Sequence, residues 1–240
     1  MTVQITMIGS SPAWPNPGGA HSGYLFEGPS GRLLVDCGPG VLAKLRGVGG
    51  WPRVDAIAIT HFHLDHFGDL VPWVWGSLHT NGAVRPGLYV PGGGRERLAA
   101  FGEQLGKSSM FDDAFRISEF AEGEPFTAAG FRVTATRVRH YDEDAFGFTV
   151  DAGSKRLAYS GDTGPCEALA ELARDADLFL CEATLSDRSE DHDSRGHLSL
   201  DEAVAAFEAS GAHRLLVTHR PTELAGGSCE VAYEGLVVEL

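Results

Sequence analysis

The chain has 240 residues, of which 43% are hydrophobic and 22% are charged. This composition excludes an intrinsically disordered chain, and the length fits one large α/β domain better than two independent domains. The net charge of −14 argues against binding along a nucleic-acid backbone, and no run of Lys and Arg offsets it locally. We therefore expect a single folded domain that covers residues 1–240.

The cysteines are scattered and form no C-x-x-C pair, so the sequence predicts neither a zinc knuckle nor a disulfide framework. The first residues lack a basic stretch followed by an apolar run. No segment approaches the roughly 18 consecutive apolar residues of a membrane span. We expect reduced thiols and a soluble, cytoplasmic protein with no membrane partner.

The first half of the chain predicts short strands, turns and helices. The predicted strands are 3–8, 24–27, 32–36, 55–60 and 88–91, and the predicted helices are 41–46, 69–78 and 93–105. Segment 55–60 (DAIAIT) has the unbroken small and β-branched character of a buried strand. It leads directly into HFHLDHFGDL, so the polar residues of that segment lie on a strand-to-helix loop.

The second half continues the alternation of strands and helices. The predicted strands are 131–138, 146–151, 156–160, 177–181 and 214–218, and the predicted helices are 167–173 and 199–209. Ser199 and Glu202 form a capping box at the start of the last helix. His140 is placed just beyond the end of the strand 131–138.

Polar residues stand at or just past the ends of five predicted strands. These residues are Asp36, His61, Asp162, Glu182 and His219. Strand ends at one edge of a sheet converge, and binding sites of α/β proteins are commonly built from the loops that follow them. Residues far apart in sequence are therefore expected to form one pocket.

His61, His63, Asp65 and His66 place four metal-ligand side chains within six positions. Such a cluster buries poorly without a cation, and a tight turn can aim its members at two neighbouring ions. Each ion would then lack ligands. The candidates to complete the site are His140, Asp162 and His219, because imidazole and carboxylate suit zinc, manganese or iron and a carboxylate can bridge two ions. The isolated histidines are given no role; they are His79, His192 and His213.

The segment His61-x-His63-x-Asp65-His66 resembles the signature of the metallo-β-lactamase fold superfamily. The resemblance covers nearly the whole chain and includes Asp36-Cys37-Gly38, His140, Gly-Asp162-Thr and Thr218-His219. It implies an α/β fold, a four-layer αββα sandwich with the site at one edge. It also implies a hydrolase with two divalent metal ions, with Zn²⁺ as the leading ion and Mn²⁺ or Fe²⁺ as alternatives.

The stretches LAYSGDTG, LFLCEATL, GHLSLDEA and LLVTH resemble ribonuclease Z and its smaller phosphodiesterase relatives, including bacterial cyclic-nucleotide phosphodiesterases. This resemblance implies how the ligands divide. One ion would be held by His61, His63 and His140, the other by Asp65, His66 and His219, and Asp162 would bridge them. The family habit also implies a homodimer.

The chemistry implied is attack on a phosphodiester by a metal-bridging hydroxide, with Asp65, Glu182 and His197 as the catalytic residues. His197, polarised by Glu182, would be the general acid that protonates the leaving alkoxide. The alternative for this pair is a structural hydrogen bond between the start of a helix and the end of a strand.

Three substrate classes remain open. Ribonuclease Z carries a protruding arm that grasps transfer RNA, and no insertion of that kind is visible between His66 and His140. With the acidic net charge, this favours a small phosphodiester partner, with a cyclic nucleotide as the leading instance. The alternatives are a transfer-RNA 3′-processing endonuclease and a lactone, thioester or β-lactam hydrolase on the same site. A non-enzymatic metal-dependent sensor would need the same cluster without a productive acid.

Overall fold

Two seven-stranded β-sheets lie face to face in the computed structural model, which describes residues 3–47, 50–80, 83–188, 194–224 and 226–240. The first sheet contains β1 (Gln4–Gly9), β2 (Gly23–Gly28), β3 (Gly31–Val35), β4 (Ala56–Ala58), β5 (Gly87–Pro91), β6 (Arg116–Phe120) and β14 (Val237–Glu239). Its strand order is β14-β1-β2-β3-β4-β5-β6. The pairs from β3 to β6 are parallel, so the ends of these strands point to the same edge.

The second sheet has the order β13-β12-β11-β10-β9-β8-β7. It contains β7 (Phe126–Ala128), β8 (Phe131–His140), β9 (Glu143–Ala152), β10 (Lys155–Tyr159), β11 (Leu178–Glu182), β12 (Leu215–Thr218) and β13 (Glu230–Val231). Strands β10 to β13 are parallel, and β7 to β10 are antiparallel. The carboxyl ends of β10, β11 and β12 therefore also meet at one edge.

Helices cover the outer face of each sheet. The first sheet carries α1 (Val41–Arg46), α2 (Leu64–Phe67), α3 (Leu70–Leu78), α4 (Gly94–Gln104) and α5 (Met110–Ala114), and the second carries α6 (Ala168–Leu172) and α7 (Leu200–Ser210). One hydrophobic core fills the space between the sheets, and one lies under each helical layer. The predicted four-layer αββα sandwich is confirmed.

Burial explains why the central strands read as continuous apolar runs. In β3, Leu33 and Val35 enter the core between the sheets, whereas Leu34 faces the helices. In β4, Ala56 and Ala58 face the inner core and Ile57 the outer one. A strand that is covered on both faces has no solvent side, so it needs no polar alternation.

Several predicted boundaries hold and others are wrong. The helix 41–46 and the capping box of Ser199 and Glu202 are confirmed. The strand predicted at 55–60 ends at Ala58, because the backbone N–H of Thr60 donates to the Asp36 side chain instead of to a neighbouring strand. His140 is the last residue of β8, and Glu182 is the last residue of β11; neither lies beyond its strand.

The sequence missed four strands and two helices. They are α2, α5, β6, β7, β13 and β14. None of the helices in the described ranges combines the length and the apolar character of a membrane-spanning segment. The cysteines are all free, with Cys37 and Cys181 buried.

Candidate metal centre

The predicted site residues meet at the edge where the parallel strands of both sheets end. His61, His63, Asp65 and His66 follow β4, and His140 closes β8. On the second sheet, Asp162 follows β10, Glu182 ends β11 and His219 follows β12, while His197 precedes α7. The structure brings all of these residues into one site.

The first group, which we name the histidine cluster, consists of His61, His63 and His140. Each offers one ring nitrogen, and these nitrogens lie within 4.8 Å of one another. The closest pair is His63 Nδ1 and His140 Nε2, at 2.9 Å. His61 and His140 are buried, and His63 is half-buried. The arrangement is a set of imidazoles aimed at a common point.

The second group, which we name the aspartate cluster, consists of Asp65, His66, Asp162 and His219, whose ligand atoms also lie within 4.8 Å of one another. Asp65 Oδ2 is 3.2 Å from His219 Nε2 and 3.4 Å from His66 Nε2. Two carboxylates face two imidazoles here. The group therefore has a formal charge of −2 when both carboxylates are ionised and both imidazoles are neutral.

Asp162 joins the two clusters. Its Oδ2 lies 3.1 Å from His66 Nε2 and 3.5 Å from His219 Nε2 in the aspartate cluster. The same oxygen lies 4.0 Å from both His61 Nε2 and His140 Nε2 in the histidine cluster. A single carboxylate oxygen is thus central to imidazoles of both groups, which is the position that a bridging ligand needs.

Three polar atoms inside the site make no hydrogen bond to any described residue, although they are buried. They are His61 Nε2, His66 Nε2 and Asp162 Oδ1. Buried polar atoms in folded proteins are rarely left without a partner, so such atoms need an explanation. A divalent cation supplies one, because neutral imidazole and carboxylate are its ordinary ligands. The donor set fits a metal centre.

Hydrogen bonds from outside the clusters fix the ring orientations. His66 Nδ1 is 2.8 Å from Asp36 Oδ2, His140 Nδ1 is 2.7 Å from the Gly196 carbonyl, and His219 Nδ1 is 2.8 Å from Thr184 Oγ1. An imidazole that donates its Nδ1–H outward keeps the lone pair of Nε2 directed inward, as metal-binding histidines commonly do.

Asp36 is held in a strained position to reach His66. Its backbone φ is 57°, in the left-handed region that non-glycine residues seldom adopt. The carboxylate also accepts hydrogen bonds from the Thr60 backbone N–H at 2.9 Å and from the Tyr159 hydroxyl at 3.2 Å. His219 has a φ of 51° at the end of β12. Strain of this kind concentrates at functional sites.

The charge states of His61 and Asp65 suit metal binding, whereas that of His66 does not. Burial opposes the charged imidazole of His66, but the carboxylates of Asp162, Asp36 and Asp65 outweigh it and raise its pKa well above the ordinary value, so a cation bound there would displace a proton. Burial, together with the neighbouring His66, holds the pKa of His61 well below its ordinary value. Burial opposes ionisation of Asp65, but His66 and the hydrogen bond from His219 outweigh it and lower the pKa of that carboxyl. His61 is thus neutral and Asp65 ionised at neutral pH, which are the forms that bind cations.

Glu182 and His197 form a hydrogen-bonded pair beside the clusters, with Glu182 Oε1 at 2.9 Å from His197 Nδ1. Glu182 is fully buried, and its carboxylate also accepts from the Thr163 backbone N–H at 2.8 Å and from the Thr184 hydroxyl at 2.9 Å. The His197 ring stacks on His219 with an interplanar angle of 17°. The pair is therefore held rigidly at the border of the site.

Arg195 anchors the loop that carries His197. Its guanidinium makes two 2.8 Å hydrogen bonds to the two carboxylate oxygens of Glu202, and it donates to the His197 carbonyl at 3.0 Å. Glu202 is the capping-box residue of α7. Bidentate Arg–carboxylate pairs are specific in geometry, so the loop is fixed to the helix that follows it.

Sequence reasoning missed His21, which is buried next to the aspartate cluster. Its side chain packs against Gly38, where an added Cβ would lie 2.7 Å from His21 Cβ and 1.9 Å from the Asp65 carbonyl oxygen. No motif marked His21. His79 and His213 lie on the surface, away from the clusters, and His192 lies outside the described residues.

Comparison with solved structures identifies the fold. The crystal structure of the metallo-β-lactamase fold protein YhfI from Bacillus subtilis superposes with a TM-score of 0.85 at 26% identity and covers 100% of both chains. The sequence of YhfI, described as a probable metallo-hydrolase, is 30% identical over 91% of this chain and 87% of its own length. The architecture is the metallo-β-lactamase fold.

The sequence comparisons agree with the structural comparison. A family model described as a Beta-lactamase superfamily domain matches residues 31–220, and the chain belongs to this superfamily. Protein Rv1339 of Mycobacterium tuberculosis is 36% identical over 92% of this chain and 82% of its own length. Ribonuclease Z of Myxococcus xanthus is 29% identical over 99% of this chain and 98% of its own length. That alignment spans 304 residues against 240 here, so at least 64 aligned positions have no counterpart in this chain.

Proposed function

We propose that this protein, as one domain over residues 1–240, is a metal-dependent phosphodiesterase that acts on a small or cyclic nucleotide. The observation that carries the proposal is the position of His197. Held by Glu182, it borders both Asp162, which joins the two clusters, and His219 of the aspartate cluster. A metallo-hydrolase and a ribonuclease Z among the relatives support a hydrolase.

The residues that would hold the metal follow the two clusters. We assign one ion to His61, His63 and His140, the other to Asp65, His66 and His219, and the bridge to Asp162. Two divalent ions bound there, with Zn²⁺ the best match for an imidazole-rich site, would activate water and neutralise charge on a phosphoryl group. The positive charge also explains how an acidic protein would bind an anionic substrate.

The chain's own groups would then handle the protons. Glu182 accepts the Nδ1–H of His197 and stabilises the charged imidazolium, which leaves Nε2 to give its proton to the leaving oxygen. Asp65, ionised by its neighbours, would orient the attacking water by accepting a hydrogen bond from it. Arg195 would keep His197 in place through its bonds to Glu202 and to the His197 carbonyl.

The size of the substrate is inferred from what this chain lacks relative to ribonuclease Z. The residues between His66 and His140 are accounted for by α3 to α5 and β5 to β8, and no arm extends from the described part of that segment. The net charge of −14 also disfavours a long polyanion. Both points support a small phosphodiester. A homodimer in the cytoplasm is part of the same proposal.

The test is hydrolysis by the purified, metal-loaded protein of bis(p-nitrophenyl) phosphate and of 3′,5′-cyclic nucleotides. We expect both to be cleaved, and we expect removal of the metal with a chelator to abolish cleavage. Metal-loaded protein that cleaves neither substrate contradicts the proposal. Metal analysis of the same sample ensures that a negative result comes from protein that contains both ions.

A second candidate is transfer-RNA 3′ processing, which the ribonuclease Z likeness over almost the full length of both chains favours. Incubation of the purified protein with a precursor transfer-RNA transcript distinguishes the two candidate functions. Cleavage at the 3′ end without any activity on cyclic nucleotides would replace our proposal. Turnover of a lactone or thioester by His197→Ala, with no phosphodiesterase activity in the unsubstituted protein, would instead place the protein with the non-phosphoryl hydrolases.

A further inference from the structure

Tyr141 is a half-exposed aromatic residue directly beside the metal centre. It follows His140, and 42% of its surface is exposed. Its ring centroid lies 4.9 Å from that of His140 and 5.7 Å from that of His197. A proposed metal ligand, His140, and the proposed acid, His197, therefore both contact this ring. Tyr141 itself takes part in neither metal binding nor proton transfer.

Three neighbouring rings lead from the surface toward the centre of the site. Tyr141 is outermost, His197 follows with 12% of its side chain exposed, and His219 is fully buried. The His197 and His219 centroids are 5.6 Å apart. If His197 gives a proton to the leaving oxygen, the organic group attached to that oxygen extends outward, and Tyr141 is the next ring toward the surface.

The backbone fixes Tyr141 in this place. Its φ is 48°, a conformation that is uncommon for a bulky residue and tends to persist at ligand-binding sites. Gly196 packs so closely that an added Cβ would lie 2.3 to 2.5 Å from three atoms of the Tyr141 ring. The Tyr141 ring is therefore held in this position before a ligand binds.

We propose that Tyr141 is the stacking surface for the nucleobase of the substrate. This inference rests on the proposed phosphodiesterase function and names the residue that would recognise the base of the nucleotide substrate. Stacking suits the site because every base has a π-face and the surface is already rigid.

The test compares two ligands that differ by the base. Calorimetry on metal-loaded protein measures adenosine 5′-monophosphate and ribose 5-phosphate. We expect the unsubstituted protein to bind the nucleotide at least about tenfold more tightly, and Tyr141→Leu to weaken nucleotide binding by roughly 5- to 100-fold. Ribose 5-phosphate affinity should change by less than about twofold, and Tyr141→Phe should bind like the unsubstituted protein.

The matched control is Trp75→Leu on α3, where the replaced ring is also 42% exposed. This variant should leave both affinities unchanged. Equal affinity of the two ligands for the unsubstituted protein, or an equal loss of both in Tyr141→Leu, would overturn the inference. If the unsubstituted protein cleaves bis(p-nitrophenyl) phosphate, either of these results overturns the stacking role of Tyr141 and leaves the proposed phosphodiesterase function intact. Absence of both cleavage and binding overturns the function and this inference together.

Discussion

The histidine cluster and the aspartate cluster are neighbours with different electrostatics. The first has imidazoles only and reaches a carboxylate through the shared Asp162, whereas the second contains Asp65 and Asp162 itself. The orienting groups differ as well. His140 is fixed by the backbone carbonyl of Gly196, but His66 is fixed by the Asp36 carboxylate. The aspartate cluster therefore concentrates negative charge, and we expect it to bind a cation more tightly.

The largest effect should come from Asp162, because both clusters depend on it. Asp162→Asn keeps the shape but removes the charge at the shared position. We expect activity to fall by more than about 100-fold, beyond the loss typical of residues that only orient ligands, and metal content to drop below two ions per chain. Elemental analysis together with kcat/KM on bis(p-nitrophenyl) phosphate measures both.

Asp151→Asn is the control for this change. Asp151 pairs with Arg156 on the surface, and such ion pairs contribute little. Its activity and metal content should equal those of the unsubstituted protein. Full metal loading in Asp162→Asn would show that the two clusters do not share this residue.

Asp36→Asn should weaken one cluster and spare the other. Asn tolerates the left-handed φ of 57° at this position, so the backbone should be retained. Loss of the charge behind His66 should reduce metal affinity of the aspartate cluster by about 10- to 100-fold. Titration of metal-free protein with Zn²⁺ against a chromophoric chelator resolves the two sites.

The control is Asp55→Asn, since Asp55 accepts from the Arg32 backbone N–H on an exposed part of the same sheet. It should change neither site. Equal weakening of both sites by Asp36→Asn would mean that the two clusters bind metal as one unit, and it would contradict the expected difference in their affinities.

A smaller effect is expected at Arg195, which acts on the acid through its loop. Arg195→Gln removes the bidentate bond to Glu202 and should lower kcat on a cyclic nucleotide by about tenfold while KM stays nearly constant. On bis(p-nitrophenyl) phosphate, whose leaving group needs no proton, the loss should be small. Arg214→Gln breaks a comparable bidentate pair with Glu230 away from the site and serves as control. Equal losses on both substrates would make Arg195 a purely structural residue.

Tyr24 should affect stability and leave activity unchanged. Burial raises the pKa of Tyr24 to about 12 from an ordinary value of 10.0, and its hydroxyl is hydrogen-bonded to Thr218. The folded state holds this proton more tightly than the unfolded chain. The stabilisation is therefore complete below pH 10 and is lost as the pH rises toward 12, by about 2 to 3 kcal/mol. Urea unfolding across this range should show a smaller loss in Tyr24→Phe; an identical loss would contradict the assignment.

The sequence predicted those site residues that lie in one short segment or directly after a buried strand. The cluster from His61 to His66 is contiguous, and Asp162 and His219 were found because each follows a buried apolar strand. Asp36 was predicted to follow a strand, but its hydrogen bond to His66 depends on the left-handed backbone conformation of Asp36. No sequence pattern predicts that conformation.

Contacts between distant segments were not predictable. Gly196 orients His140 through a carbonyl, which every residue has. Strand β14 pairs with β1, so the two ends of the described chain meet by tertiary packing alone. The sequence did not predict a role for Tyr141, because its exposure and its position beside His197 follow from the turn after β8 and from the contact with Gly196.

The most direct test of the account is the leaving-group dependence of His197→Ala in metal-loaded protein. If His197 is the general acid beside a two-ion centre, kcat/KM on 3′,5′-cyclic AMP should fall by about 100-fold or more. With bis(p-nitrophenyl) phosphate, kcat/KM should fall only a few-fold, and both ions should remain bound. Equal losses on the two substrates, or loss of an ion from the variant, would contradict the role given to His197.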